Sequence, residues 1–137
     1  MNVASLMSPE VDWIEPTTTL IEAAQRMRDE DIGFLPVGEN DRLIGMLTDR
    51  DIVIRAVAEQ RDLSTATARE AMSQDVLYVF EDQSVEEAAQ SMAENAVRRM
   101  PVLNRDKRMV GVVSLGDIAA QARSQVAGNT LGRIAKT

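Results

Sequence analysis

Leu43-Ile44-Gly45-Met46-Leu47-Thr48-Asp49-Arg50-Asp51-Ile52 passes from an apolar run into a hydroxyl residue with an acid three places on, and the same order returns in Val110-Gly111-Val112-Val113-Ser114-Leu115-Gly116-Asp117-Ile118. A short apolar run that ends at Thr or Ser before a helix-compatible stretch reads as a strand delivering the chain to a helix N-cap. A period this long, used twice, means two copies of one supersecondary unit.

Working outward, the copies stay in register. Met7 and Met72, Leu20 and Val85, Glu22 and Glu87, Ala23 and Ala88, Met27 and Met92, Pro36 and Pro101, and Val37 and Val102 all lie 65 positions apart. Gly45 and Gly111, Thr48 and Ser114, Asp51 and Asp117, and Ile52 and Ile118 lie 66 apart, so one residue was added in a loop. Each copy opens with an extended run, Val11 to Ile14 or Val76 to Phe80. A helix follows, with Thr19 and Glu22, or Ser84 and Glu87, as a capping box ahead of one apolar stripe. Two apolar runs then flank a polar turn, Ile32 to Val37 and Leu43 to Leu47, or Val97 to Leu103 and Met109 to Val113, and these read as hairpins. A second helix closes each copy, from Thr48 to about Ala58 with Ile52, Ala56 and Val57 on one side, or from Ser114 to about Ala122.

The fold class is therefore α+β, a strand-helix-strand-strand-helix unit with helices on one face of a sheet. One such unit is marginal alone. The expectation is two domains, 3–60 and 68–124, packed sheet to sheet about a pseudo-twofold axis with clefts along it, joined by the polar segment from Glu59 to Thr67 and followed by a tail, 125–137.

Composition narrows the chemistry. The 137 residues include no Cys and no His, which removes disulfides, thiol nucleophiles, the commonest zinc ligands and the usual general base near neutrality. The expectation is that the protein is not an enzyme. Aromatics make up 3% of the chain, so the core rests on aliphatics and eight Met. Fifteen basic against 22 acidic residues give a net charge of -7, which disfavours a nucleic-acid partner. With no secretory pattern and no run approaching the roughly 20 apolar residues that span a bilayer, a cytoplasmic protein without membrane attachment is expected.

The candidate site lies at the two strand-to-helix junctions. Free N–H groups and positive dipole potential at a helix start, with a hydroxyl beside them, suit a phosphate oxygen, and the acid on the first turn can accept from the vicinal hydroxyls of a ribose. The alternative is that Thr48 with Asp51 and Ser114 with Asp117 only cap their helices. Arg98 and Arg99 interrupt an apolar strand where the first copy has Gly33 and Phe34; alternation sends them to opposite faces, toward phosphate or carboxylate or into solvent. Gly33 leaves room for a ligand or marks a bend, and Arg50 adds charge toward a polyphosphate or is an exposed helical residue. Asp49 and Asp51 offer a weak magnesium signal through nucleotide phosphates. Trp13 and Tyr78 are either base-stacking or core residues.

The paired openings Leu6-Met7-Ser8-Pro9 and Ala71-Met72-Ser73, the Glu-Ala-Ala of each first helix, the Pro-Val at Pro36-Val37 and Pro101-Val102, and the Gly-x-x-Thr/Ser-x-x-Asp junctions together resemble the CBS domain family, as a stand-alone tandem pair called a Bateman module. The match runs from about Val3 to Ala122. The resemblance implies a regulatory, signal-transducing module that binds AMP, ADP, ATP, NAD or S-adenosylmethionine in the clefts. Thr48 and Asp51 would serve one cleft and Ser114 and Asp117 the other, with Asp on ribose, the hydroxyl on phosphate, and Arg98 and Arg99 facing phosphates. Arg50, Gly33, Phe34 and Pro36 complete the candidate nucleotide-binding set. It also implies a homodimer formed by stacked helices and a separate effector protein as recipient of the signal. A dimerising scaffold with empty clefts is the alternative.

Overall fold

The computed structural model describes residues 1–9 and 13–124. The expected tail, and Val11 and Asp12 of the first extended run, lie outside the described residues. The chain divides into two compact units: one holds residues 13–77 and 105–109, the other residues 1–9, 78–104 and 110–124.

In the first unit, Thr19 caps α1 (Leu20–Glu30), its hydroxyl accepting from the Glu22 N–H at 3.4 Å. The i, i+3, i+7 spacing of Leu20, Ala23 and Met27 turns one stripe into the core. β1 (Phe34–Glu39) and β2 (Arg42–Thr48) form an antiparallel hairpin in which Phe34 faces Thr48. Its turn is shorter than the polar run suggested, because Asn40 and Asp41 both take left-handed backbone, at φ 55° and 63°, the geometry that suits a two-residue hairpin loop. Ile14 joins the far edge of β1 through a parallel bridge to Val37. Buried Ile14, Leu20, Met27, Leu35, Val37, Leu47 and Ile52 form one core with the small residues Ala56, Ala66, Ala68 and Ala71.

The helix after β2 begins as α2 (Asp49–Ile52) and widens into a π-helical turn over Val53–Val57. Ile52 and Ala56 face the core as expected, but Val57 does not: it is 52% exposed, beside Val53 at 55% and Ile54 at 46%. The i, i+4 pair takes the buried face, and the residue after it is carried outward.

The second unit repeats the plan. Ser84 caps α4 (Val85–Glu94), which buries Val85, Ala88 and Met92. β4 (Arg99–Leu103) lies between β3 (Val79–Phe80), with which it runs parallel, and β5 (Met109–Ser114). Of the second expected extended run, only Val79 and Phe80 are strand. A closing helix, α5, covers residues 115–124. Met100, Val102 and Val113 are fully buried with Met92.

The units are not the two sequence copies, because each copy's opening segment packs with the other copy's sheet. In the first unit, α3 (Ala68–Ala71) leads to Ser73, which exchanges backbone hydrogen bonds with Met46 on the outer edge of β2, at 2.8 and 2.9 Å. In the second unit, Ser8 exchanges the same pair with Val112 on β5, at 2.8 and 3.0 Å, and Val3 is fully buried. The matching glycines make the exchange sterically possible. A Cβ at Gly45 would lie 2.5 Å from Met72 Sδ, and one at Gly111 would fall on the Ser8 carbonyl oxygen. Helix starts are exchanged too: the Leu20 N–H donates to the Ala66 carbonyl at 2.9 Å and that of Val85 to the Met1 carbonyl at 3.1 Å.

Candidate ligand site at the strand-to-helix junctions

In each unit the strand after the hairpin turn ends on the hydroxyl residue that caps the next helix. Thr48 Oγ1 accepts from the Asp51 N–H at 3.0 Å, and Ser114 Oγ accepts from that of Asp117 at 3.0 Å. The carbonyl preceding the hairpin's first strand covers the first helical N–H. Asp49 donates to the Gly33 carbonyl at 2.9 Å, and Leu115 to the Arg98 carbonyl at 2.7 Å. Residues 33 and 98 thus stand directly over their helix starts.

The side chains then diverge. At the first junction the Asp51 carboxylate folds back and accepts from the Thr48 N–H at 3.0 Å, completing a capping box. Asp51 Oδ1 also lies 3.9 Å from Arg55, and the Asp51 side chain is only 16% exposed. The Asp49 carboxylate accepts from the Arg50 N–H at 2.8 Å and occupies the space next to Gly33, where a Cβ would come within 3.2 Å of Asp49 Oδ2. Gly33 is therefore bordered by an acid of its own helix. Phe34 stands at the start of β1 opposite Thr48, half-buried, and Pro36 is buried with its carbonyl accepting from Ile14. Arg50 is exposed.

At the second junction the Asp117 side chain is exposed and takes no hydrogen bond or ion pair among the described residues. Leu115 replaces the first junction's Asp49, so no carboxylate sits beside the Gly116 N–H. Arg98 precedes β4 and Arg99 begins it. Both side chains are exposed at the strand's entrance, without an ion-pair partner among the described residues. This junction carries two guanidiniums against one carboxylate; the first carries Arg50 and Arg55 against Asp49 and Asp51. Fixed charge favours an anion at the second, whereas at the first the charges balance and Asp51 already faces Arg55.

Trp13 and Tyr78 each have a packing partner within their own unit. The Trp13 ring covers Gly38, and with Pro16, Thr17 and Asn40 it lines a separate hollow of about 380 Å³ near the β1–β2 turn, away from the Thr48 end of the hairpin. Tyr78 packs edge-on against Phe80, ring centroids 5.5 Å apart. Sequence reasoning passed over Arg55, whose role is visible only once the chain has folded. Its guanidinium donates to the Ala71 and Met72 carbonyls at 2.9 and 3.0 Å. Among the described residues there is no cluster of three or more metal-ligating side chains, and no helix is long and apolar enough to cross a membrane.

With this duplicated geometry in view, the family model of the CBS domain matches residues 3–57 and again 68–123. The chain belongs to the CBS domain family. It is similar to hypoxic response protein 1 of Mycobacterium tuberculosis, 46% identical over 115 residues, covering 83% of this chain and 80% of that protein. The crystal structure of that hypoxic response protein, described with two coordinated zinc ions, superposes with a TM-score of 0.76 at 43% identity, covering 88% of this chain and 98% of that one. The CBS domain-containing protein YhcV of Bacillus subtilis is 38% identical over 134 residues, 97% of this chain and 94% of its own. The CBS domain pair of protein MJ0100, solved with 5'-methylthioadenosine and S-adenosyl-L-methionine, has a TM-score of 0.74 at 25% identity, covering 91% of this chain and 98% of its own. The CBS relatives thus include stand-alone pairs and one crystallised with adenosine-bearing ligands. The α+β repeat expected from the sequence is the fold of this CBS chain.

Proposed function

We propose that this CBS pair is a non-catalytic regulatory module of the cytoplasm, with repeats at 3–60 and 68–124, that binds an adenosine-bearing ligand at its strand-to-helix junctions. The observation that carries the reading is the second junction. The Asp117 carboxylate is open for the two ribose hydroxyls. Ser114, capping the helix, stands beside the Gly116 N–H, and the guanidiniums of Arg98 and Arg99, exposed and without an ion-pair partner among the described residues, suit phosphate. Thr48 and Asp51, with Arg50, Gly33, Phe34 and Pro36 around them, are the matching set in the first copy. The ligand class, AMP, ATP, NAD or S-adenosylmethionine, is the one the family resemblance implies, and the methylthioadenosine and S-adenosylmethionine in MJ0100 support it. The signal passes to a separate effector protein through a shift between two arrangements of differing ligand affinity. Magnesium would enter only with a polyphosphate, at Asp49 and Asp51.

A thermal-shift panel of those four compounds tests the reading. Ligand at 100 times its dissociation constant should add about 2.7 kcal/mol of stability, and Asp117→Ala should reduce the shift. No response to any of the four overturns it.

One observation favours a second reading, a homodimerising scaffold: Val53, Ile54 and Val57 leave an apolar face on the helix after β2. Val57→Glu should lower the molecular mass measured by light scattering from that of a dimer to that of a single chain under this reading. A parent chain that is already monomeric removes it.

A further inference from the structure

Arg55 joins two things that the sequence keeps apart. From one side its guanidinium lies 3.9 Å from Asp51 of the first junction; from the other it donates to the Ala71 and Met72 carbonyls. The next residue, Ser73, is the one zipped to Met46 on β2, and the Met72 side chain fills the space beside Gly45. A continuous chain of contacts therefore runs from the Thr48 N–H through Asp51 and Arg55 to the exchanged opening segment. All three N–H groups that open the first helix are already met, Asp49 by the Gly33 carbonyl, Arg50 by the Asp49 carboxylate and Asp51 by Thr48 Oγ1. Ribose hydroxyls and phosphate arriving here would have to break these pairs, and would meet two carboxylates while doing so.

The second junction keeps two of these pairs, Leu115 N–H to the Arg98 carbonyl and Asp117 N–H to Ser114 Oγ, but not the return leg of the capping box or the arginine. Four places beyond Asp117 stands Gln121 where Arg55 stands four beyond Asp51, and Leu115 stands in place of Asp49. The exchange of Ser8 with Val112 is held by its backbone pair, without an arginine bridge from the helix among the described residues.

We infer that Arg55 is a positioning residue that locks the Thr48–Asp51 junction onto residues 71–73, and that the locked junction excludes the ligand, so each chain takes one adenosine-bearing ligand at the Ser114–Asp117 junction. The second half rests on the function proposed above; the lock itself does not.

Native-state hydrogen exchange on the full chain tests the lock without ligand. In Arg55→Gln, exchange of the Met46 and Ser73 amides should rise about tenfold, the effect of losing a charge-assisted hydrogen bond, while Ser8 and Val112 stay unchanged. Arg55→Lys, which keeps the charge and a nitrogen able to donate to both carbonyls, should restore most of the protection, and Gln121→Ala should change neither pair. Should Arg55→Gln fail to fold, Asp51→Ala carries the same comparison. Unaltered protection at Met46 and Ser73 overturns the lock. Calorimetry with AMP tests exclusion: one AMP per parent chain, none in Asp117→Ala, and a second, weaker event in Arg55→Gln. Two AMP per parent chain overturns the exclusion even if the exchange result holds. A parent that binds none of AMP, ATP, NAD and S-adenosylmethionine overturns the adenosine reading, and exchange then decides the lock by itself.

Discussion

The Thr48 and Ser114 junctions began as one design and have parted. Both keep the hydroxyl cap and the carbonyl above the first helical N–H, the parts that hold a strand and helix together. What differs is the charge around them. The first junction turns its acids inward, onto its own backbone and toward Arg55, whereas the second leaves its acid and two arginines facing solvent. A duplicated motif therefore need not be a duplicated site. A capping box and a ribose seat compete for the same carboxylate, and local partners decide between them.

The largest effects should come from the glycines that admit the exchanged segments. At Gly111 an added methyl falls on the Ser8 backbone, which cannot turn aside; at Gly45 it meets first the flexible Met72 side chain, at Sδ, with the Ser73 carbonyl oxygen farther off at 3.1 Å. Gly111→Ala should cost about 3 kcal/mol and Gly45→Ala about 1 to 2 kcal/mol by urea denaturation. Equal costs would break the comparison at its steric level.

Smaller differences should follow at the two acids. Asp51→Ala removes the return leg of a capping box and should cost about 1 kcal/mol, while Asp117→Ala, which removes no contact among the described residues, should stay within about 0.5 kcal/mol of the parent. Reversed costs would mean that the second acid, not the first, is structural.

The smallest effect should appear in acid, in the segment that leads into the first unit's exchanged opening. The Ser64 hydroxyl, and then its N–H, hold the Asp62 carboxyl below the usual carboxylate range. A pKa lowered by folding means that the contribution is complete above the ordinary carboxylate value and fades as pH falls through the lowered one. The parent should therefore lose stability slightly faster than Asp62→Asn as pH falls below the ordinary carboxylate range, in paired urea titrations. Parallel curves would show that this exposed turn contributes nothing.

Much of this was legible from the chain alone. The repeat, the caps at Thr19 and Ser84, both hairpins and the helix entrances after Thr48 and Ser114 all follow from local patterns, because a cap or an alternation acts within a few residues. The exchange of opening segments was not. Leu6-Met7-Ser8 and Ala71-Met72-Ser73 are so alike that no local pattern says which copy's sheet each will join. Arg55 was hidden for the same reason, since its acceptors are backbone carbonyls sixteen and seventeen residues away, and carbonyls leave no mark in a sequence. The arginines at 98 and 99 were noticed because charge inside an apolar strand is conspicuous, but their exposure at its entrance depends on where the strand begins.

The central claim is that the second junction, not the first, receives the ligand. It is tested most directly by following backbone amide shifts by NMR while AMP is added to the intact chain. The account predicts saturating changes at Arg98, Arg99 and Ser114 through Asp117, with Thr48 through Asp51 nearly still. Saturating changes of similar size at both junctions, or at Thr48 through Asp51 alone, would contradict it.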